Sequence, residues 1–131
     1  MDLAIERTTV TGLEDRSWLG SHHGTDSTQS CTLDAALFTP ATHYPNGEIR
    51  SGTVLGRVTA TKMYGPYDNT ATDGRQTAVG FLFNTVRVRS ATARIGAPIQ
   101  EHGRIRVSRL PANNGLDAAA RVELSHFRFA D

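Results

Sequence analysis

Two adjacent histidines are the first residues whose type and spacing could support chemistry. His22 and His23 stand shortly before Asp26, and imidazole and carboxylate groups are common ligands of zinc and other transition metals. Neighbouring side chains on an extended chain point to opposite sides, however, and no third ligand stands at an informative spacing. We therefore expect a solvated polar segment here, with no metal and no other cofactor.

Side chains that could serve a nucleophilic mechanism are also present. Cys31 or Ser108 could be combined with His43 or His126, but the sequence contains neither a Gly-x-Ser-x-Gly turn nor a cysteine-protease signature. A Gly-rich loop of the type that cradles phosphates is missing as well. We therefore expect no catalytic residues and a protein that is not an enzyme.

Composition limits the classes of protein that remain. The chain has 131 residues, a hydrophobic fraction of 38% and a formal net charge of +1. One domain with a lean core fits this length, and part of its burial is expected to come from neighbouring chains in an oligomer. A near-zero net charge disfavours direct binding of nucleic acid, which needs a clustered basic surface.

Cellular location can be inferred from the same sequence. The lone Cys31 excludes an intrachain disulfide, and the N-terminal residues lack the basic start and apolar run of a signal peptide. No apolar stretch approaches the length of a membrane span. These features predict cytoplasmic synthesis and no membrane partner.

Residues 1–30 are polar and acidic with isolated apolar positions, which is typical of an extended arm. Leu3 and Ile5 alternate with Ala4, a spacing compatible with a short strand added to the edge of another sheet. Trp18 either anchors the arm in a partner or packs on its own domain, and we favour the partner because tryptophan is enriched at binding hot spots. The predicted partner-binding residues of the arm are Leu3, Ile5, Val10, Trp18 and Leu19.

Residues 31–131 have the texture of a β-rich domain, with short apolar runs separated by Gly, Pro and Asn. Strands are expected within 54–60, 63–67, 78–83 and 86–89, and the run 78–83 is expected to be the central strand. Arg87 and Arg89 lie on one face of the last of these, where we expect solvated side chains.

The C-terminal part of this domain is predicted to begin with a hairpin over 98–107 that turns near His102 and Gly103. One helix is predicted over 116–124, with Asp117 near its N-terminus, and 126–129 should form a closing strand. The predicted fold class is mostly β with one short C-terminal helix, an α+β domain preceded by an extended arm.

Three successive segments of the body carry a family resemblance. The sequences GTVLGRVTAT at 52–61, YGPYD at 64–68 and DGRQTAVGFL at 73–82 resemble, in order and spacing, the head decoration proteins of lambda-type tailed bacteriophages.

Shorter segments on either side extend the likeness over roughly residues 31 to 130. TLD at 32–34 and HYPNG at 43–47 are similar to the entry segment of such proteins in phages of actinobacteria. RLP at 109–111, GLDAA at 115–119 and HFRF at 126–129 are similar to their C-terminal end.

The resemblance implies a capsid decoration protein, and it implies a compact β domain that assembles as a homotrimer. Such trimers sit at threefold positions on the outside of the expanded phage head and stabilise the shell against the pressure of packaged DNA. The N-terminal arm would contact the major capsid protein. The expected location is therefore the outer surface of the virion capsid. The alternative, from a different class, is a small β-barrel protein that binds a host surface or a ligand.

Overall fold

The computed structural model describes residues 14–21, 25 and 28–130. Nine strands and two short α-helices form within these ranges. Their order is β1 (Gln29–Asp34), α1 (Pro40–His43), β2 (Glu48–Ile49), β3 (Val54–Arg57), β4 (Tyr64–Pro66), β5 (Ala78–Leu82), β6 (Val86–Arg87), β7 (Arg94–Gln100), β8 (Gly103–Arg106), α2 (Ala118–Glu123) and β9 (Phe127–Ala130).

Five of the strands close into a small barrel in the order β1-β4-β3-β5-β7, with β7 pairing back to β1. The prediction that the run 78–83 forms a central strand is confirmed, because β5 lies between β3 and β7. Leu33, Leu55, Leu82 and Ile99 pack together inside the barrel and are at most 1% exposed. A barrel of about eight strands has an interior just wide enough for side chains, so the interior of a five-stranded barrel is filled by them.

The narrow barrel depends on a close approach between β5 and β7. A Cβ atom at Gly80 would lie 2.5 Å from the carbonyl oxygen of Gln100 and 2.9 Å from Cγ1 of Ile99. Any other residue would therefore force the two strands apart, which explains a glycine in the middle of the most apolar strand.

A second layer covers the outer face of β3 and β5. Successive residues of a strand point to opposite faces, so Val54 and Phe81 face away from the barrel interior. They pack there with Ile105, Leu124 and Phe127 in a second core cluster. The rings of Phe81 and Phe127 meet edge to face, with centroids 5.0 Å apart. The two clusters thus share β3 and β5 as a common wall.

The predicted hairpin over 98–107 is wrong. Both edges of β7 are already taken, by β1 and β5. The chain turns at Glu101 and His102 out of the barrel, and β8 pairs instead with β9 in parallel, with Gly103 opposite Phe127. Sequence alone detects the turn but not the change of layer that follows it.

The helix prediction is confirmed at α2, and the closing strand at β9. Within this helix Ala120 is buried, whereas Ala119 is exposed. Leu124, which directly follows the helix, is buried as well. The four-residue helix α1 was not predicted. It starts with Pro40, whose fixed φ suits the first turn.

Asp117 connects α2 to the barrel. Its carboxylate accepts a hydrogen bond from the backbone N–H of Ala120 at 2.7 Å and so caps the helix. The same group accepts bonds from the hydroxyl of Tyr67 and the side-chain amide of Asn69, both at 2.9 Å. Burial, together with the bond to Asp117, raises the pKa of Tyr67 to about 12.

Replacing Asp117 with Ala should lower the free energy of unfolding by about 1–3 kcal/mol, because the helix loses its cap and the buried Tyr67 hydroxyl loses its acceptor. Urea unfolding followed by circular dichroism measures this. Glu101→Ala removes an exposed carboxylate and serves as the matched control. Equal stability of the two variants would contradict the role given to Asp117.

Candidate functional site

The base of the N-terminal arm, residues 14–21, lies against the body. Leu19 forms an antiparallel bridge with Ile105. The N–H of Gly20 donates to the carbonyl of Arg104 at 2.8 Å, and the N–H of Arg106 donates to the carbonyl of Trp18 at 2.7 Å. The arm base therefore adds to the edge of β8 that β9 leaves open.

Trp18 fastens this segment. Its indole is fully buried and stacks on Phe81 with ring centroids 5.5 Å apart. The indole N–H donates to the hydroxyl of Ser51 at 3.0 Å, and that hydroxyl donates in turn to the carbonyl of Phe83 at 2.7 Å. Apolar burial and a satisfied polar group together define one orientation of the ring.

The slot for the indole requires a glycine. Gly52 has a φ of +99°, and a Cβ there would lie 3.1 Å from Cδ1 of Trp18 and 2.7 Å from Cδ of Pro111. The left-handed backbone and the missing side chain let the turn approach the ring closely.

Two charged residues fix the arm base at a second place, the segment after β5. The carboxylate of Glu14 accepts a bond from the N–H of Thr85 at 3.0 Å. Nε of Arg16 donates to the carbonyl of Phe83 at 3.0 Å, and the guanidinium lies 4.3 Å from the centre of the Phe83 ring. Arg16 also donates to the side-chain oxygen of Asn84. Glu14 and Arg16 therefore hold the start of the arm base against residues 83–85.

The predicted partner-binding residues divide into two groups. Leu3, Ile5 and Val10 lie outside the described residues. Trp18 and Leu19 both pack on the chain's own second core cluster. The expectation that favoured a partner for Trp18 is thus corrected: the indole fills its own domain. Its slot is built by a turn far along the chain, which no local sequence signal reveals.

The candidate nucleophile Cys31 is held in its protonated form. The thiol belongs to the barrel core, where burial, aided by the nearby charge of Glu101, raises its pKa to about 11. His43 has a lowered pKa, because of its burial and the neighbouring charge of Arg75. Its Nδ1 accepts a hydrogen bond from the backbone N–H of Thr39 at 2.8 Å, so the ring binds the residue that precedes the first turn of α1.

The remaining candidate residues form no site in the described part of the chain. Ser108 and His126 are both exposed. Over 14–21, 25 and 28–130, no three His, Cys, Asp or Glu side chains come close enough to hold a metal ion. His22, His23 and Asp26 lie outside these ranges. Within the same ranges, no helix combines the length and apolar character needed to cross a bilayer.

The described residues thus form a packed β barrel with a second layer, to which the arm base, residues 14–21, is fastened. The chain matches the family described as bacteriophage lambda head decoration protein D over residues 11–127, and it belongs to that family. No significant match is found among curated proteins. Membership places the chain among the structural proteins of the phage head, with a role in capsid decoration.

Replacing Trp18 with Ala should lower the free energy of unfolding by about 3–5 kcal/mol, because it leaves a cavity beside Phe81. Trp18→Phe retains an aromatic ring and should cost less. Val122, which is 78% exposed, provides the control: Val122→Ala should change stability by less than about 0.5 kcal/mol. Thermal and urea unfolding measure all three, and a Trp18→Ala variant as stable as Val122→Ala would show that the arm base is not fastened.

Cys31 should react slowly with iodoacetamide at pH 8 and rapidly in urea, because only the thiolate is nucleophilic. A raised pKa also links stability to pH. The contribution of the neutral thiol is fully present below the unfolded pKa near 9 and is lost as the pH rises through about 11. Native protein should therefore lose more stability over this range than Cys31→Ala, and identical pH profiles would contradict the assignment.

Proposed function

We propose that this chain binds the outside of the expanded phage head as a homotrimer at threefold positions and stabilises the shell against the pressure of packaged DNA. Family membership supports the capsid as the partner. The observation that carries the mechanical part is the fastening of the arm base to the body by Trp18 and the backbone of β8. A brace needs such a joint, because a loosely attached arm would transmit no load.

In this proposal the arm and the body have different tasks. The segment before Glu14, with Leu3, Ile5 and Val10, lies along strand edges of the major capsid protein, where main-chain hydrogen bonds provide affinity. Trp18 and Leu19 hold the base of the arm to the body rather than contacting the capsid. Load on a bound arm then passes through the second core cluster into the barrel.

Trimerisation makes weak arms effective. Three arms on one trimer bind with an avidity that exceeds a single arm by about 10²–10⁴, provided that all three can reach the shell together. The lean core, with a hydrophobic fraction of 38%, supports an oligomer in which neighbouring copies supply further burial.

The proposal includes no catalysis, no cofactor, no direct nucleic-acid partner and no membrane partner. The protonated Cys31 and the helix-bound ring of His43 argue against a nucleophilic site. Apolar side chains occupy the barrel interior, which argues against the alternative of a ligand bound inside the barrel.

A chain that begins at Glu14 should keep its unfolding midpoint and lose capsid binding, because it retains Trp18 but lacks the proposed contact residues. Cosedimentation with expanded capsids that lack decoration measures binding, and analytical ultracentrifugation measures trimer formation. Saturable capsid binding by the shortened chain would contradict the arm assignment.

Point variants of the full chain provide the matched comparison. Leu3→Ser, Ile5→Ser and Val10→Ser combined should weaken capsid binding, whereas Thr8→Ser, Thr9→Ser and Thr11→Ser combined should not. A chain beginning at Cys31 is unsuitable because it also lacks the tryptophan that closes the second core cluster. A stable monomer of the full chain that ignores capsids would favour the ligand- or host-binding alternative.

A further inference from the structure

Three arginines form a basic face on the outside of the β8–β9 pair. Arg104 and Arg106 alternate with the buried Gly103 and Ile105, and Arg128 lies beside Arg104 in the register of the two strands. All three arginines are exposed. We call this surface, made of Arg104, Arg106 and Arg128, the basic face.

The basic face lacks carboxylate partners within the described residues. The ion pairs among the described residues join Arg16 to Glu14, at 3.5 Å, and Arg75 to Asp73, at 3.1 Å, and neither involves an arginine of the basic face. Like charges that face each other on neighbouring strands repel and destabilise the folded state. A surface rich in carboxylates laid over the basic face would remove that repulsion.

The basic face is continuous with the arm base. A Cβ at Gly20 would lie only 2.7 Å from Cγ of Arg104, so the stem of this arginine lies across the arm. An open groove of about 440 Å³ runs between Ser21, Arg104 and Arg128, and a second of about 400 Å³ is lined by Ser21 and Arg106. Gly20 and Ser21 of the arm base thus lie beside the basic face, and open grooves leave its guanidinium groups accessible to a partner surface.

We propose that the basic face docks on a carboxylate-rich strip of the major capsid protein, the partner that family membership supports. This inference rests on the proposed function. Guanidinium groups pair with carboxylates through two parallel hydrogen bonds, which gives direction as well as attraction. Nucleic acid is the less suitable partner, because the net charge is only +1 and the proposed site lies outside the shell that encloses the genome.

Charge reversal tests the basic face. The variant with Arg104→Glu, Arg106→Glu and Arg128→Glu should bind expanded capsids at least about tenfold more weakly, with a shallower dependence on salt. The matched control reverses three other exposed arginines: Arg87 in β6, Arg89 shortly after it and Arg94 in β7. This control variant should bind capsids within about twofold of the native chain. Equal losses in the two variants would overturn the inference.

A milder variant guards against misfolding. Arg104→Gln with Arg128→Gln removes the side-by-side repulsion, so its unfolding midpoint should equal or exceed that of the native chain while its capsid binding weakens. A lower midpoint combined with native binding would also overturn the inference, since the arginines would then act only within the body.

The outcomes separate this inference from the proposed function. If the native chain ignores capsids, the proposed function fails. If the native chain binds, the chain from Glu14 does not, and charge reversal has no effect, only the basic-face inference fails. Binding of duplex DNA at about 150 mM salt by the native chain, lost on charge reversal, would assign the face to nucleic acid and overturn the capsid assignment.

Discussion

The stacking of Trp18 on Phe81 joins the three parts of this molecule. Phe81 belongs to the barrel wall, Trp18 to the arm base, and both meet Phe127 and Ile105 of the C-terminal layer in one cluster. Removal of any one part would leave apolar surface of the other two exposed to water. The arm base is thus part of the body's hydrophobic core rather than an attachment to it.

This arrangement explains how a lean sequence supports a stable wall. Val54 and Leu55 are neighbours in β3, yet each is fully buried, in a different cluster. A strand that is buried on both faces contributes to two cores at once, so fewer apolar residues are needed. The cost is a tight fit between strands, which is met by small residues such as Gly80.

Local patterns in the sequence were sufficient for much of the fold. The apolar run of β5, the helix α2 with Asp117 at its N-terminus and the closing strand β9 are predicted correctly because propensity, capping and alternation act within a few residues. The hairpin at 98–107 failed because pairing partners are chosen by the whole sheet, and β7 already had two.

At the candidate site, too, local patterns succeed and long-range pairing is missed. Alternation within one strand predicts that Arg87 and Arg89 are exposed, and both are exposed. The buried position of Trp18 is not predicted, because its slot depends on Ser51 and Gly52 in a distant turn. The Arg104 and Arg128 pair likewise depends on a parallel pairing between strands separated by a helix. Long-range pairing of this kind leaves no periodic signal in the sequence.

Pairing of the arm base with β8, and of β8 with β9, also sets the order in which the chain can fold. The second core cluster takes Trp18 from near one end of the chain and Phe127 from near the other. During synthesis the cluster cannot close until β9 has left the ribosome, and contacts between such distant residues form slowly. The arm base therefore acquires its fixed position only after β9 has been made, so a nascent chain, or one that ends before β9, lacks the joint between the arm base and the body.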